Sequence, residues 1–277
     1  MHTFFIIASA LLGAIIGSFI NVVVVRHGTG MGLNGRSRCF SCGTQLTWVD
    51  LVPLLSFVVL SAQCRTCHTR ISWQYPLVEA TAALLFGLIA WQSFPNSFSF
   101  GTEFLYSSVP LFLCGLFFWS VLLAIVVYDL RHTVIPDSFS LALAGVGFGA
   151  LLLRHVGMPY TTYLPDIATG IFLAGCFLFL WIITQGRGMG LGDAKLAVGL
   201  GWFLGARGAI DVLFFSFWIG AAVGLVLLGF QKLFAGSNNA LLGGRQRVTM
   251  KSEIPFAPFL AVAAVLVWFM HLSVPFF

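Results

Sequence analysis

Charge is scarce in this chain: Asp, Glu, Lys and Arg make up only 8% of its 277 residues. A water-soluble domain carries about a quarter. That shortage excludes an ordinary soluble fold, because too few polar side chains exist to face water on all sides. Acidic residues number nine, so each one beside an apolar run is costly and informative. The chain also lacks a basic cluster interleaved with aromatics, so a net charge of +5 does not point to a nucleic-acid partner. The N-terminal run from Phe4 to Val25 has no basic region before it and no small-residue cleavage site after it. A cleaved secretory signal is therefore not expected, and the run reads as a retained first span.

Hydrophobic residues are what the chain has in abundance, at 59% with a mean hydropathy of +0.98. Apolar runs recur at roughly the 17–25 residues needed to cross a hydrocarbon core. They fall at 3–25, 76–93, 108–128, 138–153, 167–184, 194–206, 209–230 and 255–273. These runs predict an all-α, polytopic membrane protein of about eight transmembrane helices, with the lipid bilayer as its main surroundings. Only Gly205-Ala206-Arg207-Gly208 separates the sixth run from the seventh, so seven spans is the alternative. Lys and Arg favour inside loops. With the N-terminus outside, Arg26, Arg36, Arg38, Arg65, Arg70, Arg131, Arg187, Lys195, Lys232, Arg245, Arg247 and Lys251 all lie inside. Arg154 and Arg207 alone lie outside. Both termini are then expected outside a cytoplasmic membrane. The expected organisation is a first helix at 1–25, a cytoplasmic four-cysteine loop at 26–75, and a multi-helix membrane domain at 76–277. A second inside segment, 231–254, reads as a loop from its Gly, Ser and Asn. No internal repeat stands out.

Cys39-Phe-Ser-Cys42 and Cys64-Arg-Thr-Cys67 form a CxxC…CxxC pair, a spacing that brings four thiolates around one tetrahedral Zn²⁺. Arg38 and Arg65 favour the thiolate form, and Gly43 permits a tight knuckle. The rival is thiol redox chemistry, which the reducing inside location disfavours. Four ligands fill a zinc site, so this centre is structural and hydrolysis must arise elsewhere. Cys114 and Cys176 read as small buried hydrophobes.

Asp129 follows seven apolar residues and Tyr128, and Asp193 sits in GMGLGDAK where one span gives way to the next. Both fall at the inside boundary. Two carboxylates sharing a site cannot both ionise easily and hold one proton between them. The ionised member then activates water while the protonated one polarises a scissile carbonyl. Gly188, Gly190 and Gly192 allow positive φ and the close approach of a second chain. The bland alternative for Asp193 is a helix N-cap. Asp137, after Pro136, reads as a helix cap rather than a catalyst. Lys195 either snorkels to headgroups or holds an acidic substrate group. Glu79, early in the second span, is another costly charge.

Taken in order, several segments resemble the bacterial type IV prepilin leader peptidases, the GxGD membrane aspartyl proteases. They are Gly17-Ser-Phe-Ile-Asn21, the four-cysteine loop and Ile71-Ser-Trp-Gln-Tyr-Pro-Leu-Val-Glu79. After these come Asp129 with Ile135-Pro136-Asp137, Gly190-Leu-Gly-Asp193-Ala-Lys195, and Pro255-Phe-Ala-Pro-Phe259. The resemblance implies cleavage of basic leaders from prepilins and pseudopilins at the cytoplasmic face, with Asp129 and Asp193 as the catalytic pair. It also implies N-methylation of the freed amine from S-adenosylmethionine, and products that feed type IV pili or type II secretion. No Gly-rich nucleotide fingerprint is visible, so the methyl-transfer half rests on the cysteine loop and its flanks. Two rival classes make different demands. A membrane thiol oxidoreductase needs the CxxC pairs and not the aspartates. A cation transporter places carboxylates near the midplane, in broken helices of related halves.

Overall fold

The computed structural model describes residues 2–30, 32–94, 108–186, 189–234 and 255–273. Arg187, Gly188, Arg245, Arg247, Lys251 and most of the expected 231–254 loop lie outside the described residues. The helices are α1 (His2–Arg26), α2 (Leu55–Val59), α3 (Gln74–Ser93), α4 (Val109–His132), α5 (Asp137–Arg154), α6 (Tyr160–Thr184), α7 (Leu191–Phe234) and α8 (Ala257–Met270). A 3-10 turn covers Trp48–Leu51. Among the described residues no strand forms. Only isolated bridges pair Arg38 with Gln45 and Gln63 with Arg70.

Six of these helices are long and apolar enough to cross a membrane, and α8 is a shorter apolar helix. The longest, α7, is two helices joined at Gly205, whose φ is 74° and ψ −178°. With α7 counted as a pair and α8 included, the apolar helices match the eight expected from hydropathy. Two boundary differences have a clear physical reading. α6 starts at Tyr160 rather than near 167, because Pro159 occupies its N-cap and the first turns, Tyr-Thr-Thr-Tyr, are too polar to register as an apolar run. α4 continues through Asp129 to His132, so that carboxylate lies within the last turn of a helix.

The chain forms two compact units, 1–127 and 128–277. In the first, α1 packs along α3 by removing side chains from the seam. A Cβ on Gly13 would lie 2.5 Å from the Ala82 carbonyl oxygen, and one on Gly17 would lie 2.7 Å from Glu79 Cα. This GxxxG spacing brings two backbones together where lipid offers no hydrophobic drive. Buried Asn21 closes the seam: its amide donates to the Gly17 and Tyr75 carbonyls, and its oxygen accepts from Gln74 Nε2.

In the second unit α7 packs against α5, α6 and α8, again through glycine. A Cβ on Gly147 would meet the Gly199 carbonyl oxygen at 2.4 Å, and one on Gly201 would meet Gly170 Cα at 2.6 Å. The break in α7 is held by opposite charges. Arg154 donates to the Trp202 and Phe203 carbonyls, which the end of the first half-helix leaves open. Asp166 accepts from the Ala206 amide at the start of the second half, at 3.1 Å. Each charge sits at the helix end it stabilises. His155 Nε2 lies 3.6 Å from Asp166.

Gly147→Ala is expected to destabilise the unit by about 1–3 kcal/mol through overpacking against backbone. Gly145→Ala, two residues away with nothing within 4 Å of a new Cβ, is expected to be neutral or stabilising by up to about 1 kcal/mol. Thermal unfolding of the two variants in detergent separates the effects.

Candidate functional site

Two acidic side chains are buried at helix ends in the second unit. Asp129 is 4% and Asp193 5% exposed, and Asp193 lies within the electrostatic influence of Asp129. Asp129 occupies the last turn of α4, the negative end of its own helix. The amide of Ala257, first residue of α8, compensates by donating to Asp129 Oδ2 at 3.3 Å. Asp193 stands in the first turn of α7, where an anion is favoured, and accepts the Gly190 amide on Oδ2 at 3.2 Å. Asp193 is thus not the N-cap residue but the third residue of α7, reaching back to the amide ahead of the helix as in half of a capping box.

Gly192 serves a different purpose from the expected one. Neither Gly190 nor Gly192 has positive φ. A Cβ on Gly192 would stand 2.8 Å from Ile135 Cβ, so the room is taken by the protein's own Ile135-Pro136 turn. Around Gly190 the nearest atom is the Asp193 carboxylate, at 3.6 Å from a would-be Cβ. Lys195 Nζ lies 2.6 Å from Asp137 Oδ1, with both side chains exposed. That contact joins the first turn of α7 to the first turn of α5. Asp137 makes no capping bond, because Pro136 holds the N-cap. Fifty-eight residues separate Lys195 from Asp137, so no local pattern exposes the pairing.

The four cysteines of the first unit converge. The Sγ atoms of Cys39, Cys42, Cys64 and Cys67 all lie within 4.8 Å of one another, and Cys39 and Cys67 are 3.7 Å apart. A zinc–sulfur bond near 2.3 Å gives tetrahedron edges of about 3.8 Å, so the set can hold a metal ion. All four thiols are free of disulfides.

The two halves are near copies, a repeat that the Cys spacing alone did not reveal. Cys39 N–H donates to Thr44 and Cys64 N–H to Thr69, both at 2.9 Å; Gly43 N–H returns to Cys39 and His68 N–H to Cys64. Gly43 and His68 share a left-handed φ of 69° and 56°. The Thr44 and Thr69 hydroxyls lie 3.2 and 3.3 Å from Cys42 and Cys67. Hydrogen bonds from the Thr69 side chain and backbone pull the Cys67 thiol down to about 6, which favours the thiolate a metal needs. Arg65, expected to support the thiolates, instead pairs with Asp50 at 2.8 Å.

A multi-helix membrane protein with a buried carboxylate pair at helix ends and a four-thiol knuckle is the class these features define. The type IV leader peptidase family model matches residues 116–225, and the bacterial peptidase A24 N-terminal domain matches 11–93. The chain is 35% identical to the prepilin leader peptidase/N-methyltransferase of Myxococcus xanthus, over 79% of this chain and 62% of that one. It is 33% identical to the protein of that name from Burkholderia pseudomallei, covering 91% and 81%. The corresponding protein of Xanthomonas campestris is 30% identical, covering 95% and 90%. The chain belongs to the type IV leader peptidase family and is a multi-pass inner-membrane protein. No solved structure matches it.

Proposed function

We propose that this chain is an aspartyl endopeptidase that removes the leader of type IV prepilins and pseudopilins and N-methylates the amine it exposes. The carrying observation is the burial of both Asp129 and Asp193, at the ends of α4 and α7 and within electrostatic reach of one another, in a chain whose relatives are named for both activities.

With one proton between them, the ionised carboxylate takes a proton from water and the protonated one donates to the scissile carbonyl oxygen. Attack by that water gives a tetrahedral species. Return of a proton to the leaving nitrogen breaks the peptide bond. Gly190 keeps a side chain away from Asp193, Gly192 makes room for Ile135, and Lys195, paired with Asp137, borders the site. The bias of Lys and Arg toward one side supports a cytoplasmic site with both termini outside. Cys39, Cys42, Cys64 and Cys67 hold a structural zinc. We assign residues 26–75 to the methyl-transfer half, for which S-adenosylmethionine supplies the methyl group, and 76–277 to the peptidase.

Co-expression with a prepilin tests this directly. The pilin N-terminus is expected to lose its leader mass and gain one methyl group only when the protein is present. An unchanged spectrum would overturn the proposal. The Gly192 seam gives a finer test. Gly192→Ala is expected to lower turnover by pushing the start of α7 off Ile135, and adding Ile135→Ala is expected to recover part of it.

A further inference from the structure

The four-cysteine loop contains an apolar segment that its own fold does not cover. On α2, Leu55, Val58 and Val59 occupy one face at i, i+3 and i+4. They are 64%, 74% and 74% exposed. Single exposed hydrophobics need no explanation, but a contiguous face on a helical turn marks an interaction site.

The depth of this segment is set by Glu79. Its buried carboxylate accepts the Leu54 amide at 2.8 Å. Leu54 has φ 62° and ψ −48°, and the Leu55 amide reaches back to the Pro53 carbonyl at 2.6 Å. This is a γ-turn of the rare, strained kind, and such strain persists only where surrounding structure enforces it. Glu79 lies five residues inside α3, about 7 Å along the axis from the first residue, Gln74. The Glu79 side chain leans back toward the N-terminus of its helix, so the start of α2 is pinned beside the first turns of a spanning helix. Phe57 packs against Trp73, at the N-cap of α3, with ring centroids 5.0 Å apart and planes tilted by 59°.

We infer that the γ-turn and α2, residues 52–60, dip into the bilayer interface on the side that carries the four-cysteine loop, with Leu55, Val58 and Val59 in contact with lipid. The first turns of a spanning helix lie near the headgroup and acyl boundary, the level that interfacial segments occupy about 5–10 Å deep. Exposed Trp48 and Trp73 are the residue type that settles at headgroup level. Between residues 27 and 73 the charged side chains are Arg36, Arg38, Arg65, Arg70 and a single acid, Asp50, which pairs with Arg65. A zinc ion on four thiolates adds a net charge of about −2, which leaves the loop close to neutral and without strong repulsion from headgroups. Glu79 thus acts as the anchor of the dip, and this reading is independent of the peptidase assignment.

Site-specific photocrosslinking of the full chain in phosphatidylglycerol–phosphatidylethanolamine vesicles tests the inference. p-Benzoylphenylalanine is placed in turn at Val58, at Leu84 on the lipid-exposed flank of α3, and at Phe40 on the first knuckle. Phospholipid adducts are expected at Val58 and Leu84 and not at Phe40. If Leu84 labels lipid while Val58 labels another part of the chain, an added pilin peptide or nothing, the inference is overturned. Glu79→Ala is expected to lose the Val58 adduct and keep that of Leu84. Glu79→Gln, whose amide oxygen still accepts the Leu54 amide, is expected to retain both. A Val58 adduct unchanged in Glu79→Ala would overturn the role of Glu79 as anchor.

Discussion

Asp129→Asn and Asp193→Asn are each expected to reduce leader cleavage by roughly 10²- to 10⁴-fold, the range of general acid–base catalysis, while the protein stays folded. The exchange is nearly isosteric, and the amide oxygen of asparagine can still accept the Ala257 or Gly190 amide that now reaches Oδ2. What it loses is the ability to take and release a proton. If the two residues act on one water as a unit, their losses will not multiply, because groups that work together are strongly non-additive. The double variant should therefore be about as inactive as the weaker single one. The assay is cleavage of a prepilin co-reconstituted with each variant, alongside methylation of a pre-cleaved pilin. Methylation should survive in all three proteins. Two active single variants, or a double variant showing the product of two independent losses, would end the shared-proton account.

The second large effect concerns the knuckle. Purified protein is expected to carry a single zinc, and Cys64→Ser or strong chelation to release it and open the backbone between residues 38 and 70. The loop contains one short 3-10 turn and one five-residue helix, too little to fold on its own core. Zinc binding in comparable small sites contributes about 10–16 kcal/mol of apparent free energy, so its loss dominates every other interaction in the loop. Limited proteolysis should then cut near Arg65 or Arg70. The α1–α3 seam, built on Gly13, Gly17 and Asn21, should stay protected. Metal analysis and the cleavage map read the two consequences separately. A metal-free protein with an intact, protease-resistant loop would sink the zinc assignment.

The parts of the molecule that were legible in the sequence are those where composition forces a choice. Asp129 and Asp193 stand out because a carboxylate beside seven apolar residues is too costly to be incidental, and the four cysteines stand out because thiol pairs at that spacing have few uses. The apolar runs likewise locate the helices, since each must be long enough to cross lipid. Contacts between distant segments were not legible. Lys195 reads in the sequence as a cation that either seeks headgroups or holds an acidic substrate group, and nothing local points to Asp137 as its partner. Arg154 counted only as an outside charge, although it donates to the open carbonyls at the α7 break, and Asp166, unremarked in the sequence, caps the other side. Glu79 is recognisable as costly, but one of its partners is the main-chain amide of Leu54, which no residue type advertises. The knuckle repeat was hidden for a related reason: it lies in the matched hydrogen bonds of Thr44 and Thr69, while the residues after the second cysteine differ, glycine in one half and histidine in the other.

Both carboxylates of the pair are held by the peptide backbone, at positions 190 and 257. A main-chain donor is present whatever side chain evolution installs there, proline excepted. The grip on Asp129 and Asp193 is thus indifferent to most point substitutions at those two positions and vulnerable chiefly to a shift in register. A one-residue insertion or deletion just ahead of α7 or α8 would turn the donor away from its acceptor, and leave every motif letter in place around a site that no longer closes.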